Sequence, residues 1–178
     1  MLFRSMTVKA ASLTVSVGSS PAAQSIVPGG RVTFTNYQFD ASQSGEDVRF
    51  GVLPLRYDGA DSGTAAAPSK MTSCQLYDGA TALNTGSNVV NPSSTSDATT
   101  TSPLSLTVTL DQQYTVSKGT VKTLTWQCNV ASSADNASVM QWGLTNGDAM
   151  TTTGVTSGAD VSESLTTASG QLMTIATG

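Results

Sequence analysis

The sequence predicts an all-β domain, a sandwich of two antiparallel sheets, and three observations carry that expectation. Apolar and polar residues alternate in several short runs, which is the period of a strand buried on one face. Gly, Pro, Asn and Asp turns separate these runs and allow roughly eight to eleven strands, the pattern of a sandwich; a closed barrel is the rival. The chain is also rich in hydroxyls, with 27 Thr and 25 Ser, while only 11% of residues are charged. Threonine is β-branched and suits a solvent-facing pleat.

At 178 residues the chain suits one domain with a core of its own. We take residues 12–178 as the sandwich and residues 1–11 as a linker or non-native leader. The opening MLFRSMTVKAA has no apolar run of signal-peptide type, and no stretch approaches the length of a membrane span. If the protein is exported, this sequence is then a fragment or mature segment of something longer.

The first strand is Ser12 to Val17, with Leu13, Val15 and Val17 inward. A Gly-Ser-Ser-Pro turn leads to an edge-like piece, AQSIV, closed by Pro28-Gly29-Gly30. In the strand from Arg31 to Ala41 the apolar parity changes from Val32 and Phe34 to Tyr37 and Phe39, which predicts a β-bulge near Thr35-Asn36. From Glu46 to Tyr57 the parity changes again, around Pro54. Asp58 to Ser69 reads as a polar loop, Met71 to Tyr77 as a strand with Cys74 and Leu76 inward, and 91–102 as a surface loop. Strands follow at Pro103 to Leu110, Val139 to Leu144 and Gln171 to Thr177.

Tyr114 to Val130, YTVSKGTVKTLTWQCNV, reads as a β-hairpin reversing at Ser117-Lys118-Gly119. In its second half Leu124, Trp126, Cys128 and Val130 share one face, and Thr123, Thr125, Gln127 and Asn129 the other. The expected core is centred on Leu124, Trp126, Val130 and Trp142. Cys74 and Cys128 both lie on apolar faces: in an oxidising compartment they would pair, and in a reducing one they would be two core thiols.

The net charge of −4 and the absence of basic residues between Lys70 and Lys118 and after Lys122 argue against nucleic acid, whose affinity comes mainly from Lys and Arg, and against an anionic membrane surface. With no histidine in the chain, Ser-His-Asp and Cys-His schemes and imidazole metal sites are excluded. A carboxylate pair for glycoside hydrolysis would have to come from Glu46, Asp47, Asp58, Asp61 and Asp148, where Glu46-Asp47 reads more simply as a solvated turn. Asp58-Gly-Ala-Asp61-Ser-Gly has the flavour of a calcium loop, with Asp58 and Asp61 as ligands, but lacks the ligand spacing and the bidentate Glu of an EF-hand; turn-forming Asp beside Gly is the simpler account. Carbohydrate recognition would need exposed aromatics, for which Tyr57 and Tyr77 are the candidates. Asn136-Ala137-Ser138 matches a glycosylation acceptor by chance.

The segments SLTVSV, PAAQSIVPGG, CQLYDGATAL, YTVSKGTVKTLTWQCNV and QWGLTNGD, in that order, resemble the immunoglobulin-like β-sandwich repeats of large Ser/Thr-rich bacterial surface proteins, mostly of unassigned function. The likeness runs from about Ser12 onward. It implies an immunoglobulin-like fold and an extracellular or cell-surface setting. It also implies a non-enzymatic structural or adhesive module, one repeat of a tandem array, because ATG at 176–178 and ASLTVSV at 11–17 look like the two halves of a repeat junction. Its partners would be neighbouring copies of the domain or other surface proteins. A carbohydrate- or protein-binding module, with glycan as ligand, and a self-assembling filament or surface-layer subunit are the alternatives.

Overall fold

The computed structural model describes residues 8–59, 64–146 and 150–178. Twelve strands follow in order: β1 (Leu13–Val17), β2 (Gln24–Ile26), β3 (Arg31–Asp40), β4 (Val48–Asp58), β5 (Met71–Asp78), β6 (Thr81–Ala82), β7 (Leu104–Val116), β8 (Val121–Val130), β9 (Val139–Leu144), β10 (Thr153–Gly154), β11 (Glu163–Leu165) and β12 (Met173–Ile175). Two single 3₁₀ turns, Pro68–Lys70 and Gly86–Asn88, complete the regular structure of the described residues. Among the described residues no helix is long and apolar enough to cross a membrane.

The strands form two sheets packed face to face. One has the order β11-β1-β3-β8-β5-β6; the other has β10-β4-β9-β12-β2, with β7 also paired to β4. Most pairings are antiparallel. The exceptions are β1 with β11 and β2 with β12, which are parallel, so the sheets are mixed. Both parallel pairs join the start of the chain to its last strands, a match between short segments that local alternation does not reveal.

Aromatic rings fill the space between the sheets. Phe39 of β3 stacks on Phe50 of β4 with centroids 4.7 Å apart, and Trp126 of β8 meets Trp142 of β9 edge-on at 5.3 Å. Such ring pairs contribute beyond their buried area, by about 0.5–1.5 kcal/mol each. Two buried hydroxyls are satisfied across the gap: Tyr37 donates to the Gly143 carbonyl, and Thr35 to that of Trp142. Burial pushes the Tyr37 phenol well above its ordinary pKa, so it stays a donor.

The stretch 114–130 is not a hairpin. β7 lies beside β4 in one sheet and β8 between β3 and β5 in the other, so residues 117–120 arch across the core. Both strands have an inward apolar face, and an arch sets those faces opposite each other instead of side by side. Gly119, at φ +75°, makes the bend. This arch is tied to the other connection at the same end, 41–47: Gly119 N–H donates to the Ala41 carbonyl, Ala41 N–H to that of Thr120, and Lys118 N–H to the Asp47 carboxylate.

The irregularities fall near, but not on, the predicted positions. In β3 the register against β8 shifts between Thr33 and Thr35, making Phe34 the extra residue, and Phe34 and Thr35 are both buried. In β4 the shift lies between Phe50 and Val52, at Gly51, and not around Pro54. Residues 110–113 of β7 bulge opposite that glycine, and Pro54 keeps its register opposite Thr107.

Candidate functional site

Cys74 and Cys128 form a disulfide and are fully buried. The bridge lies within one sheet, between neighbouring strands, where β5 bulges at Ser73-Cys74 against Cys128 of β8. Ser73 takes φ +52° to make that bulge, and its N–H is received by the Asn91 side chain. An immunoglobulin bridge instead joins two sheets, so the resemblance does not extend to the role of this pair. Leu124, Trp126 and Trp142 are completely buried and Val130 is 2% exposed. The Trp142 indole N–H points at the Met71 sulfur at 3.2 Å.

The acids proposed for chemistry are held by neighbours. Glu46 accepts the N–H groups of Thr156 and Ser157, and hydrogen bonding to Ser157 holds its carboxyl below the usual range. Asp47 holds the arch at Lys118. Asp58 is buried, ion-paired with Arg56 and bonded to Ser169 Oγ. Asp61 and Asp148 lie outside the described residues, and the described residues hold no cluster of three or more metal-ligating side chains. A hollow of about 500 Å³ beside Lys9 and Ala10 includes Glu46 in its lining, but that carboxylate already accepts two backbone donors.

The two tyrosines considered for sugar contact differ. Tyr57 is fully buried, its hydroxyl donating to the Ala66 carbonyl, because the parity change at Gly51 turns it into the core; the expectation of exposure fails there. Tyr77 is half-buried on the outer face of its sheet, inside a cluster that sequence reasoning missed. Arg31 lies 5.0 Å from the Tyr77 ring centroid, donates to its hydroxyl at 2.7 Å, and also reaches Gln75 and Gln127. Outward parity was visible for Gln127, but the meeting of β3, β8 and β5 required the register.

The ends of the sandwich have the most distinctive geometry. β3 runs from Arg31, opposite Asn129, to Asp40, opposite Val121, so 41–47 marks one end of β8 (the near end) and 131–138 the other (the far end). Contacts of the sandwich begin inside the stretch read as linker, where Gly45 N–H donates to the Ala10 carbonyl, and continue just after it with Ser12 N–H donating to Ser44 Oγ. The chain therefore comes in at the near end. It leaves at the far end, where Ala137 N–H donates to the Ile175 carbonyl, Ile175 N–H to that of Ser138, and Thr177 N–H to the Asn136 side chain. The ten residues of β8 span about 33 Å between these ends at roughly 3.3 Å each.

No family model matches the chain, and no curated protein matches it in sequence. Three solved structures are similar in outline. One is a chain of the CaDoc0917–CaCohA2 complex, at 14% identity over 92% of this chain and 99% of that one, with a TM-score of 0.44. Another is the seventh ScaB type I cohesin from Pseudobacteroides cellulosolvens, at 10% identity, 93% and 94% coverage and a TM-score of 0.37. The third is a chain of the Coh-OlpA–Doc918 type I cohesin–dockerin complex from Clostridium thermocellum, at 12% identity, 92% and 99% coverage and a TM-score of 0.36. What the chain's own coordinates define is a two-sheet β-sandwich domain.

Proposed function

We propose that this domain is a non-enzymatic structural module of a bacterial cell-surface or secreted protein, a stiff spacer strung head to tail with neighbouring copies. The observation that carries the reading is the placement of the termini. Had Ala10 and Thr177 met at one end, successive domains would fold back on each other; with the chain entering at 41–47 and leaving at 131–138, each copy extends the string. The buried disulfide fits an oxidising setting outside the cell. The proposal rests on this geometry and on the repeat resemblance, and takes nothing from the cohesin likeness.

Two copies joined through the ATG–ASLTVSV junction test it. Small-angle scattering on the tandem should give a maximum dimension close to twice that of one copy. A compact, side-by-side pair would refute the spacer.

A further inference from the structure

The geometry points to a mechanical role beyond spacing: the first two strands and the last two form a double clasp that holds the domain shut when its termini are pulled apart. β1 runs from the near end inward, with Leu13, Thr14 and Val15 in parallel register with Glu163, Ser164 and Leu165 of β11, and Thr14 to Val17 paired to β3 on its other side. In the opposite sheet β12 runs toward the far end. It is parallel to β2 from Met173–Gln24 to Ile175–Ile26, and antiparallel to β9. One pair therefore closes each sheet, and both join the beginning of the chain to its end.

The direction of pull decides how these bonds are loaded. Tension on the N-terminus draws β1 along its own axis out of the near end, and tension on the C-terminus draws β12 along its axis out of the far end. Inter-strand hydrogen bonds lie across the strand axis, upright in antiparallel pairs and slanted in parallel ones. An axial pull therefore loads all bonds of a pair together, whereas a pull from one shared end opens them one at a time. Further bonds lie in the same direction: Gly45 N–H to the Ala10 carbonyl at the near end, and Gln24 N–H to Leu172 and Ala176 N–H to Ile26 in the second clasp. Behind both clasps the Cys74–Cys128 bridge closes 54 residues of chain that no pull on the termini can extend.

The clasp deepens the spacer reading, since a domain strung between neighbours is pulled at its termini. It is measured on a single domain, so it can fail while the scattering result on the tandem stands. The experiment is single-molecule stretching of the full oxidised chain with handles at the two termini, compared with handles at the N-terminus and at Lys118→Cys. Lys118 is exposed and lies at the near end, so this second geometry peels β1 from its start. Terminal handles should give one rupture at the higher force, and reduction of the disulfide should lengthen the released chain by about 190 Å, 54 residues at roughly 3.5 Å each. Gln24→Pro, which deletes the N–H donated to Leu172, should lower the end-to-end force in a protein whose melting transition is retained. Equal or lower force for the terminal handles, or an early low-force release of only the terminal strands, would overturn the clasp; both are read on the unsubstituted β1 and β12.

Discussion

Opening the Cys74–Cys128 bridge should cost this domain about 4 kcal/mol. The figure follows from the sequence separation of 54, because a cross-link restricts the unfolded chain by an entropy that grows with the logarithm of the loop it closes. That model gives about 3 kcal/mol for a 15-residue loop and about 4.7 for 100 residues, and 54 lies between them. For a chain of 178 residues the entropy of unfolding is about 0.37 kcal/mol/K, so the melting temperature should fall by about 11 °C.

Both cysteines are fully buried, which sets the design of the assay. The chain is unfolded with denaturant and reductant, refolded reduced, and compared with the oxidised protein by calorimetry and urea titration. Reduced thiols keep the sulfur volume in the core, so this comparison isolates the cross-link, whereas Cys74→Ala with Cys128→Ala adds about 1 kcal/mol per site for lost packing. With a urea slope near 2 kcal/mol/M, the midpoint should move by about 2 M. Oxidised and reduced forms melting within about 3 °C of each other would refute the reasoning.

Two further perturbations follow from close-packed glycine backbone and from carboxylates held by hydrogen bonds. A Cβ at Gly143 would lie 1.9 Å from the Ala168 carbonyl oxygen and 2.8 Å from the Ser169 Cα, so Gly143→Ala should destabilise by about 3 kcal/mol through overpacking; at Gly30 a Cβ meets nothing within 4 Å, and Gly30→Ala should be near neutral, with urea midpoints deciding both. Asp40, Glu46 and Asp111 are held below the usual carboxylate range, chiefly by the side chains of Ser42, Ser157 and Thr85. Their folded pKa values lie below their unfolded ones, so the stability they contribute is present above about pH 4 and is lost as pH falls through the folded values. Melting temperatures measured down the acid range should therefore fall less steeply in the triple variant Asp40→Asn, Glu46→Gln, Asp111→Asn than in the parent.

Strand positions were legible because a half-buried strand writes its period into a few consecutive residues; Leu13 to Val17 and Leu124 to Val130 need no partner to be recognised. Which strand lies beside which is a different kind of information. Ser117-Lys118-Gly119 looks the same locally whether the chain turns back within a sheet or crosses to the other one, and the hairpin expectation failed for that reason. The parallel clasps were invisible because Glu163–Leu165 and Met173–Ile175 are three residues long and their partners lie about 150 residues away. Tyr57 shares its face with Leu53 and Leu55, which are buried with it, so its own parity pointed inward; exposure was expected of a polar hydroxyl that is instead satisfied inside, by the Ala66 carbonyl. Of the candidate site, the cysteine and tryptophan positions could be read from parity, while the Arg31–Tyr77 cluster needed three strands brought into register.

The arch at 117–120 explains why the near end can both receive the chain and bear tension. Two sheet-crossing connections, 41–47 and 117–120, meet there, and Ala10 and Ser12 bond to the first of them. A pull on the N-terminus reaches that connection through Ala10 and Ser12, and its bonds to the arch carry the load to the junction of β7 and β8, alongside the ladders that pair β3 with β8 and β4 with β7. The Asp47 carboxylate receiving Lys118 N–H at 2.9 Å is the side-chain member of that joint. Asp47→Ala removes it and leaves the two backbone bonds at Ala41 in place, so the loss should be about 1 kcal/mol, or about 3 °C by the conversion used for the disulfide. The Lys118 amide should then exchange with solvent deuterium faster while Gly119, still bonded to the Ala41 carbonyl, keeps its protection. Equal acceleration at both amides would mean that the carboxylate orders the whole arch, and an unchanged Lys118 would mean that it does not hold the joint at all.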